Sequence, residues 1–172
     1  MIPKIKTILY ATDLSKNSAY AFSYAVNSAK RNDAEIVILH VREVMDAGTY
    51  TAMAAHLGQE FLAEKEKERE AHAMDRIKNR LKVFYDKVRA EDPEFVDTKV
   101  SIEICKGYPA EEILGKADKL NCDVIFMGTH GKGIVSQTFL GSMAKKVLRR
   151  TRKAVVIIPL PKEESDLTFH DI

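Results

Sequence analysis

The chain has 172 residues, 45% hydrophobic and 30% charged, with a formal net charge of +2. That profile fits one globular domain with enough chain to bury a sizeable core. So small a net charge argues against nucleic acid or a membrane surface as the main partner.

The N-terminal stretch MIPKIKTILYATD has no long apolar h-region, so no signal peptide is expected. No apolar run approaches the roughly 18 residues of a membrane span. KTILYA (6–11) reads as a buried strand. Ser15 is placed to cap the helix that follows, where Ala19, Phe22, Ala25, Val26 and Ala29 keep helical spacing. AEIVILHV (34–41) is the second strand. Residues 42–56 show no period and contain Gly48, which predicts a loop. A long helix is predicted next, to about residue 90, with Met74, Ile77, Leu81, Phe84, Tyr85 and Val88 as its apolar stripe. Its front, EKEKERE (64–70), is charged all round; it could be a binding patch, but a solvated face with charge pairs is the favoured reading.

TKVSIEIC (98–105) is a third strand, more alternating and so less buried on one face. Pro109 opens a helix with Ile113, Leu114, Ala117 and Leu120 as its stripe. CDVIFM (122–127) and AVVIIP (154–159) complete the strands. The basic run KKVLRRTRK (145–153) interleaves with Val147 and Leu148, and reads as the exposed face and C-terminal end of a last helix. It has no aromatic interleaving for single-stranded nucleic acid. Residues 161–172 form a polar tail without period. Cys105 and Cys122 lack C-x-x-C spacing, so buried free thiols in a reducing cytosol are expected.

Alternating strands and helices predict a mainly parallel sheet covered on both faces. In such sheets ligands bind at the carboxyl ends of the strands, where the winding reverses. GTHGKGIVSQTFLGS (128–142) lies at that edge, between the fourth strand and the last helix. Its glycines let backbone N–H groups approach an anion, and Ser142 is a plausible N-cap at a helix start that favours phosphate. The Walker pattern fails because Ile134 stands where lysine is required, and G-x-G-x-x-G fails at Ser136.

What fits is G-x-x-G, nine residues, then G-[ST]: Gly128, Gly131, Gly141, Ser142. With ATDLS after the first strand, HV ending the second and the closing KAVVIIP, the chain resembles the universal stress protein family in its ATP-binding branch, from about residue 3 to residue 159. The long charged helix, the segment before it and the tail depart from the family pattern. The resemblance implies a Rossmann- or flavodoxin-like α/β sandwich, a five-stranded parallel sheet in the order 3-2-1-4-5, within a single domain over residues 1–160. It implies an adenine-nucleotide site for ATP, AMP or ADP, with or without magnesium. Ala11, Thr12 and Asp13 would border the adenosine, and Val41 would offer its backbone to the adenine edge. Met127 and Gly128 would flank the ribose and α-phosphate. Gly131, Gly141, Ser142 and Met143 would donate to the phosphates, in a loop that also carries His130 and Gly133.

Residue chemistry leaves alternatives open. Asp13 could cap the first helix or close a turn instead of touching a nucleotide. His130 could donate to phosphate or face solvent, and His40 reads as a satisfied sheet histidine. No residue pattern has metal-ligand spacing, and Ser142 has no sequence cue for a paired base. The expected role is a cytoplasmic stress-response protein with the nucleotide as a regulatory ligand, and a homodimer paired through the last strand. The alternatives are a slow ATPase or phosphotransferase, and a partner-binding module with an empty loop.

Overall fold

The computed structural model describes residues 2–93, 95–129 and 140–159. The elements run β1 (Thr7–Thr12), α1 (Lys16–Asn32), β2 (Glu35–Glu43), α2 (Ala47–Leu57), α3 (Gln59–Glu91), β3 (Val100–Gly107), α4 (Pro109–Lys119), β4 (Val124–Gly128), α5 (Ser142–Arg150) and β5 (Ala154–Ile158). Among the described residues no helix is long and apolar enough to cross a membrane.

The five strands are parallel, in the order β3-β2-β1-β4-β5, as the family resemblance implied. Side chains alternate across the sheet, so each face collects every second residue. Ile8, Tyr10, Ile36, Ile38, Val124 and Phe126 pack under α1 and the middle of α3. Leu9, Ala11, Val37, Leu39, Ile125 and Met127 pack under α4 and α5. β1, β2 and β4 are therefore buried on both faces, which is why they read as unbroken apolar runs. The edge strand β3 is mostly half-buried, as its alternation predicted.

Local signals account for the helix ends. Ser15 Oγ accepts from Ser18 N at 3.2 Å and caps α1, as expected. α1 stops at Asp33, which sits in the left-handed region with φ 50. Pro109 is in the first turn of α4. On α3, Ile77 and Tyr85 are buried, and an aromatic chain runs from Tyr10 through Phe22 and Phe84 to Tyr85, with centroids 5.1, 5.2 and 5.4 Å apart. On α5, Ala144 and Val147 are buried but Leu148, expected beside Val147 in the stripe, is exposed.

One sequence expectation is corrected here. Residues 42–56 are not a loop: β2 continues to Glu43, and α2 follows. Asp46 caps α2, its Oδ1 accepting from Thr49 N at 2.9 Å. α2 buries no residue, so it has no packed face to impose an apolar stripe. Gly58, at φ 85, separates it from α3.

α3 has 33 residues, or about 50 Å of helix, against about 30 Å for the nine residues of β2. It cannot lie over the sheet along its whole length. The residues that join the core begin at Ala73, so the N-terminal turns overhang the carboxyl edge of the sheet. That overhang forms one wall of the site.

Candidate functional site

β1 and β4 are neighbours, but the helices that follow them lie on opposite faces of the sheet. Their outgoing chains diverge and leave a crevice at the carboxyl edge. The crevice is a cleft of about 1020 Å³, at the top of the roughly 300–1,000 Å³ range of small-molecule sites. A second cavity of about 30 Å³ lies on the α1 and α3 face, among Tyr10, Phe22, Ile77 and Phe84. That is room for roughly one water and no larger ligand.

The structure brings Ala11 and Thr12 from β1, Asp13 from the turn after it, Val41 from β2, Met127 and Gly128 from β4, and Gly141, Ser142 and Met143 from the start of α5 to this one cleft. His130, Gly131 and Gly133 lie outside the described residues.

The turn after β1 is braced from several sides. Thr12 Oγ1 accepts from Leu14 N at 3.1 Å and donates to Ser18 Oγ at 2.9 Å. Asp13 Oδ1 accepts from Ser15 N at 3.0 Å. Asp13 thus closes a turn and lines the cleft at once, so the two readings of this residue do not exclude each other. Leu14 has φ 64, a left-handed backbone that a residue with a Cβ adopts at a cost of about 1–2 kcal/mol. Its carbonyl accepts from Arg80 Nη2 at 2.8 Å, with Arg76 Nη2 at 3.4 Å. Beneath the turn, Tyr10 Oη donates to Ser18 O, and burial pushes the phenol up to about 12. His40 is buried, with Nδ1 2.8 Å from Thr12 O. A carbonyl can only accept, so this nitrogen carries the hydrogen. That is the satisfied sheet histidine the sequence suggested.

On the other side, Gly141 N donates to Thr129 O at 2.8 Å, and Thr129 N donates to Ile158 O at 3.0 Å. The loop therefore leaves and returns at one point beside β5. The N-cap of α5 is Gly141, not Ser142, which is the first helical residue. Glycine offers no side chain to cap the first-turn amides, and the ladder begins only with Lys145 N donating to Gly141 O at 3.1 Å. Among the described residues no partner takes the N–H groups of Ser142, Met143 and Ala144, which stand beside the cleft at the positive end of the helix dipole. Arg149 and Arg150 sit at the opposite end, where cations are favoured.

The α3 wall was not legible as part of a site. Arg42, Glu66, Arg69, His72 and Arg76 all line the cleft. Glu66 Oε2 accepts from Arg42 Nη1 at 2.7 Å and lies 3.3 Å from Lys106 Nζ, while Arg69 Nη1 is 3.6 Å from Glu66 Oε1. Arg42 Nη2 also donates to Glu70 Oε2 at 2.9 Å. Burial alone would raise the Glu66 pKa, but Lys106 and Arg42 outweigh it and hold the carboxyl below its ordinary value. The run 64–70 does contain local pairs, Lys65 with Glu68 at 2.6 Å and Arg69 with Glu66 at 3.6 Å, yet Glu66 and Glu70 also reach Arg42 on β2. Among the described residues, no group of three or more His, Cys, Asp or Glu could hold a metal ion.

A parallel 3-2-1-4-5 sheet with its cleft at the β1–β4 switch point defines a flavodoxin-like α/β protein, and comparison with known proteins narrows the class. The sequence profile of the Universal stress protein family matches residues 4–159, and the chain belongs to that family. It is 30% identical to universal stress protein MJ0531 of Methanocaldococcus jannaschii over 159 residues, which is 92% of this chain and 85% of the relative. The solved structure of MJ0577 from the same organism superposes with a TM-score of 0.74 at 26% identity, covering 92% of this chain and 99% of that one. A universal stress protein solved in complex with cAMP shares the fold at TM-score 0.55 and 22% identity, over 91% of this chain and 98% of its own.

Proposed function

We propose that the cleft binds an adenine nucleotide, ATP or its ADP and AMP counterparts, as a regulatory ligand. The observation that carries this reading is the meeting of three strand ends with the uncapped N-terminus of α5 in one cleft of about 1020 Å³. Donors for phosphate stand on one side, and Leu39 and Val41 of β2 line the other. A relative of the same fold holds cAMP, which has the adenine, ribose and phosphate parts this pose requires. In the proposed pose the adenine edge meets the backbone of Val41, and the ribose lies beside Thr12 and Asp13. The phosphates run past Gly128 to the amides of Ser142 and Met143, with Gly131 completing the loop. Any magnesium would be held on the phosphates, with Asp13 the carboxylate just after β1 that lines the same cleft. The binding unit is residues 1–160. A bound nucleotide would act by favouring one conformation or assembly over another through unequal affinity. The assembly we propose is a homodimer through β5, which among the described residues is a sheet edge paired with β4 and keeps Val155, Val156 and Ile157 half-buried.

The test is calorimetry of nucleotide-stripped protein with AMP and with magnesium ATP, together with mass analysis of any nucleotide released on denaturation. One adenine nucleotide per chain is expected. Gly131→Val should abolish binding by obstructing the phosphate. Ser142→Ala should cost about 1 kcal/mol, the scale of one hydrogen bond. No heat with either nucleotide and none released would overturn the reading. Light scattering tests the dimer, and a monomer at micromolar concentration would count against it.

A further inference from the structure

The α3 wall carries more positive charge than its own contacts use. Arg69, His72 and Arg76 recur at three- and four-residue spacing, so they share one face of the helix, and that face lines the cleft. Arg42 is already committed to Glu66 and Glu70. Glu66 in turn is shared among Arg42, Lys106 and Arg69, with Arg69 the most distant at 3.6 Å. Arg76 makes only a long contact of 3.4 Å, to a neutral carbonyl oxygen that Arg80 already occupies at 2.8 Å. Two guanidinium groups therefore converge on one carbonyl. Like charges on one helix face cost a few tenths of a kcal/mol per pair. Here they are held over a cleft rather than spread around the helix.

Their place along the cleft is fixed by Leu14. Arg76 reaches the carbonyl of Leu14, the residue after Asp13, so its guanidinium stands at the β1 end and not at the α5 end where the free amides lie. In the pose proposed above, on which this inference rests, the β1 end is where the ribose lies. The phosphate chain leaves in the other direction. We infer that Arg69, His72 and Arg76 form a second anion site, which takes a phosphoryl group carried on the 2′ or 3′ oxygen of an adenosine nucleotide. The preferred ligand class is thus an adenosine bisphosphate with one phosphate at each end of the ribose. One phosphate is held by backbone amides and the other by guanidinium groups, whose paired donors match phosphate oxygens.

Calorimetry at fixed ionic strength should compare AMP, ADP, adenosine 2′,5′-bisphosphate and adenosine 3′,5′-bisphosphate. ADP carries its added charge on the 5′ side and serves as the control for charge alone. At least one bisphosphate should bind about tenfold or more tighter than AMP, the scale of one charge-assisted hydrogen bond. Arg76→Gln should bring that preference, read as the ratio of bisphosphate to AMP affinity within the same variant, to within about twofold, with the ratio of ADP to AMP affinity unchanged. Arg76 touches the Leu14 turn, so the double variant Arg69→Gln/His72→Gln, which leaves the turn alone, should reduce the same preference. If AMP binds and neither bisphosphate gains over it, the second anion site is refuted and the nucleotide site stands. If the variants weaken ADP relative to AMP instead, the cations serve the 5′ phosphate chain and the placement is wrong. If no adenosine ligand binds, both readings fall together.

Discussion

Replacing Glu66 with glutamine should lower stability and raise affinity for anionic ligands in the same protein. The Glu66 side chain is 25% exposed and that of Arg42 only 14%. Among the described residues Arg42 Nε is buried without a partner, so this guanidinium depends on the carboxylates at its other nitrogens. A hydrogen bond to a charged group is worth about 1.5–3 kcal/mol when the alternative is a poorly solvated ion. Glutamine keeps a neutral acceptor in the same place, and Glu70 still holds Arg42 at 2.9 Å. Both retain part of that value, which leaves an expected loss of about 1–2 kcal/mol.

Urea unfolding at neutral pH measures the loss, with an unchanged slope if only the native state is affected. Because the folded pKa of Glu66 lies below its ordinary 4.5, the stability it contributes is present above that value and is lost as pH falls through the folded pKa. The two proteins should therefore converge in stability under acid. They should also converge in part at about 1 M salt, where the Debye length is about 3 Å. A difference below about 0.3 kcal/mol at neutral pH, or one that persists unchanged in acid, would refute the account of this ion cluster. On the ligand side, removing a negative charge from the cleft wall should tighten AMP binding. Weaker binding would mean that Glu66 itself touches the nucleotide.

Leu14 offers a backbone test. Leu14→Ala and Leu14→Gly both lose a buried side chain, about 2–5 kcal/mol. Glycine escapes the left-handed penalty of about 1–2 kcal/mol and adds about 0.4–1 kcal/mol of unfolded-chain entropy, so Leu14→Gly should be the more stable of the two by urea titration. A more stable alanine variant would contradict the φ of 64. Tyr10→Phe removes the donor to Ser18 O and should cost about 1 kcal/mol. Since the folded pKa of Tyr10 is raised from 10.0 to about 12, its contribution is whole below 10.0 and is lost as pH climbs through the folded value. The phenylalanine variant should show a shallower alkaline decline, and identical declines would count against the burial of this phenol. Cys122 is fully buried and its thiol is pushed up to about 11 by that burial. A thiol reagent at neutral pH should modify half-buried Cys105 first and reach Cys122 only as the protein unfolds, which mass spectrometry can time; equal rates would refute it.

The central strands were legible because burial on both faces demands the unbroken apolar runs of β1, β2 and β4. The strand order came from the family resemblance, since alternation alone leaves several windings open. α2 was missed for the converse reason. Its residues bury nothing, so no period marks it, and the one available signal was Asp46 three residues before Thr49. At α5 the cap fell one residue early. Serine is the stronger capping type by side chain, but Gly141 takes the position and leaves the amides after it open. The α3 wall could not be read from local sequence. Glu64 to Glu70 looks like a self-paired helical run, and nothing nearby says that residues 42 and 106 will meet it. A clue did exist in lengths, because a helix predicted to reach residue 90 must outrun strands of five to nine residues.

That overhang also decides whether the long charged helix α3 is an appendage or a component of the site. An appended helix would touch the domain at one end and move independently of it. α3 is instead tied at three heights. Tyr85 Oη meets Thr98 Oγ1 at 2.6 Å near the start of β3, Arg80 holds the Leu14 carbonyl in the turn after β1, and Glu66 meets Arg42 and Lys106 at the carboxyl ends of β2 and β3. The middle tie is the informative one. Leu14 O belongs to the turn whose strain and hydrogen bonds set the position of Asp13, so a shift of α3 cannot leave that side of the cleft unchanged. The α5 side has no such link among the described residues: its donors are backbone amides fixed by the sheet and by the Gly141–Thr129 bond. A ligand held between the two would join a wall set by main-chain geometry to one set by exposed, screenable side-chain charge. Salt should therefore weaken what α3 contributes while leaving most of the amide contribution in place.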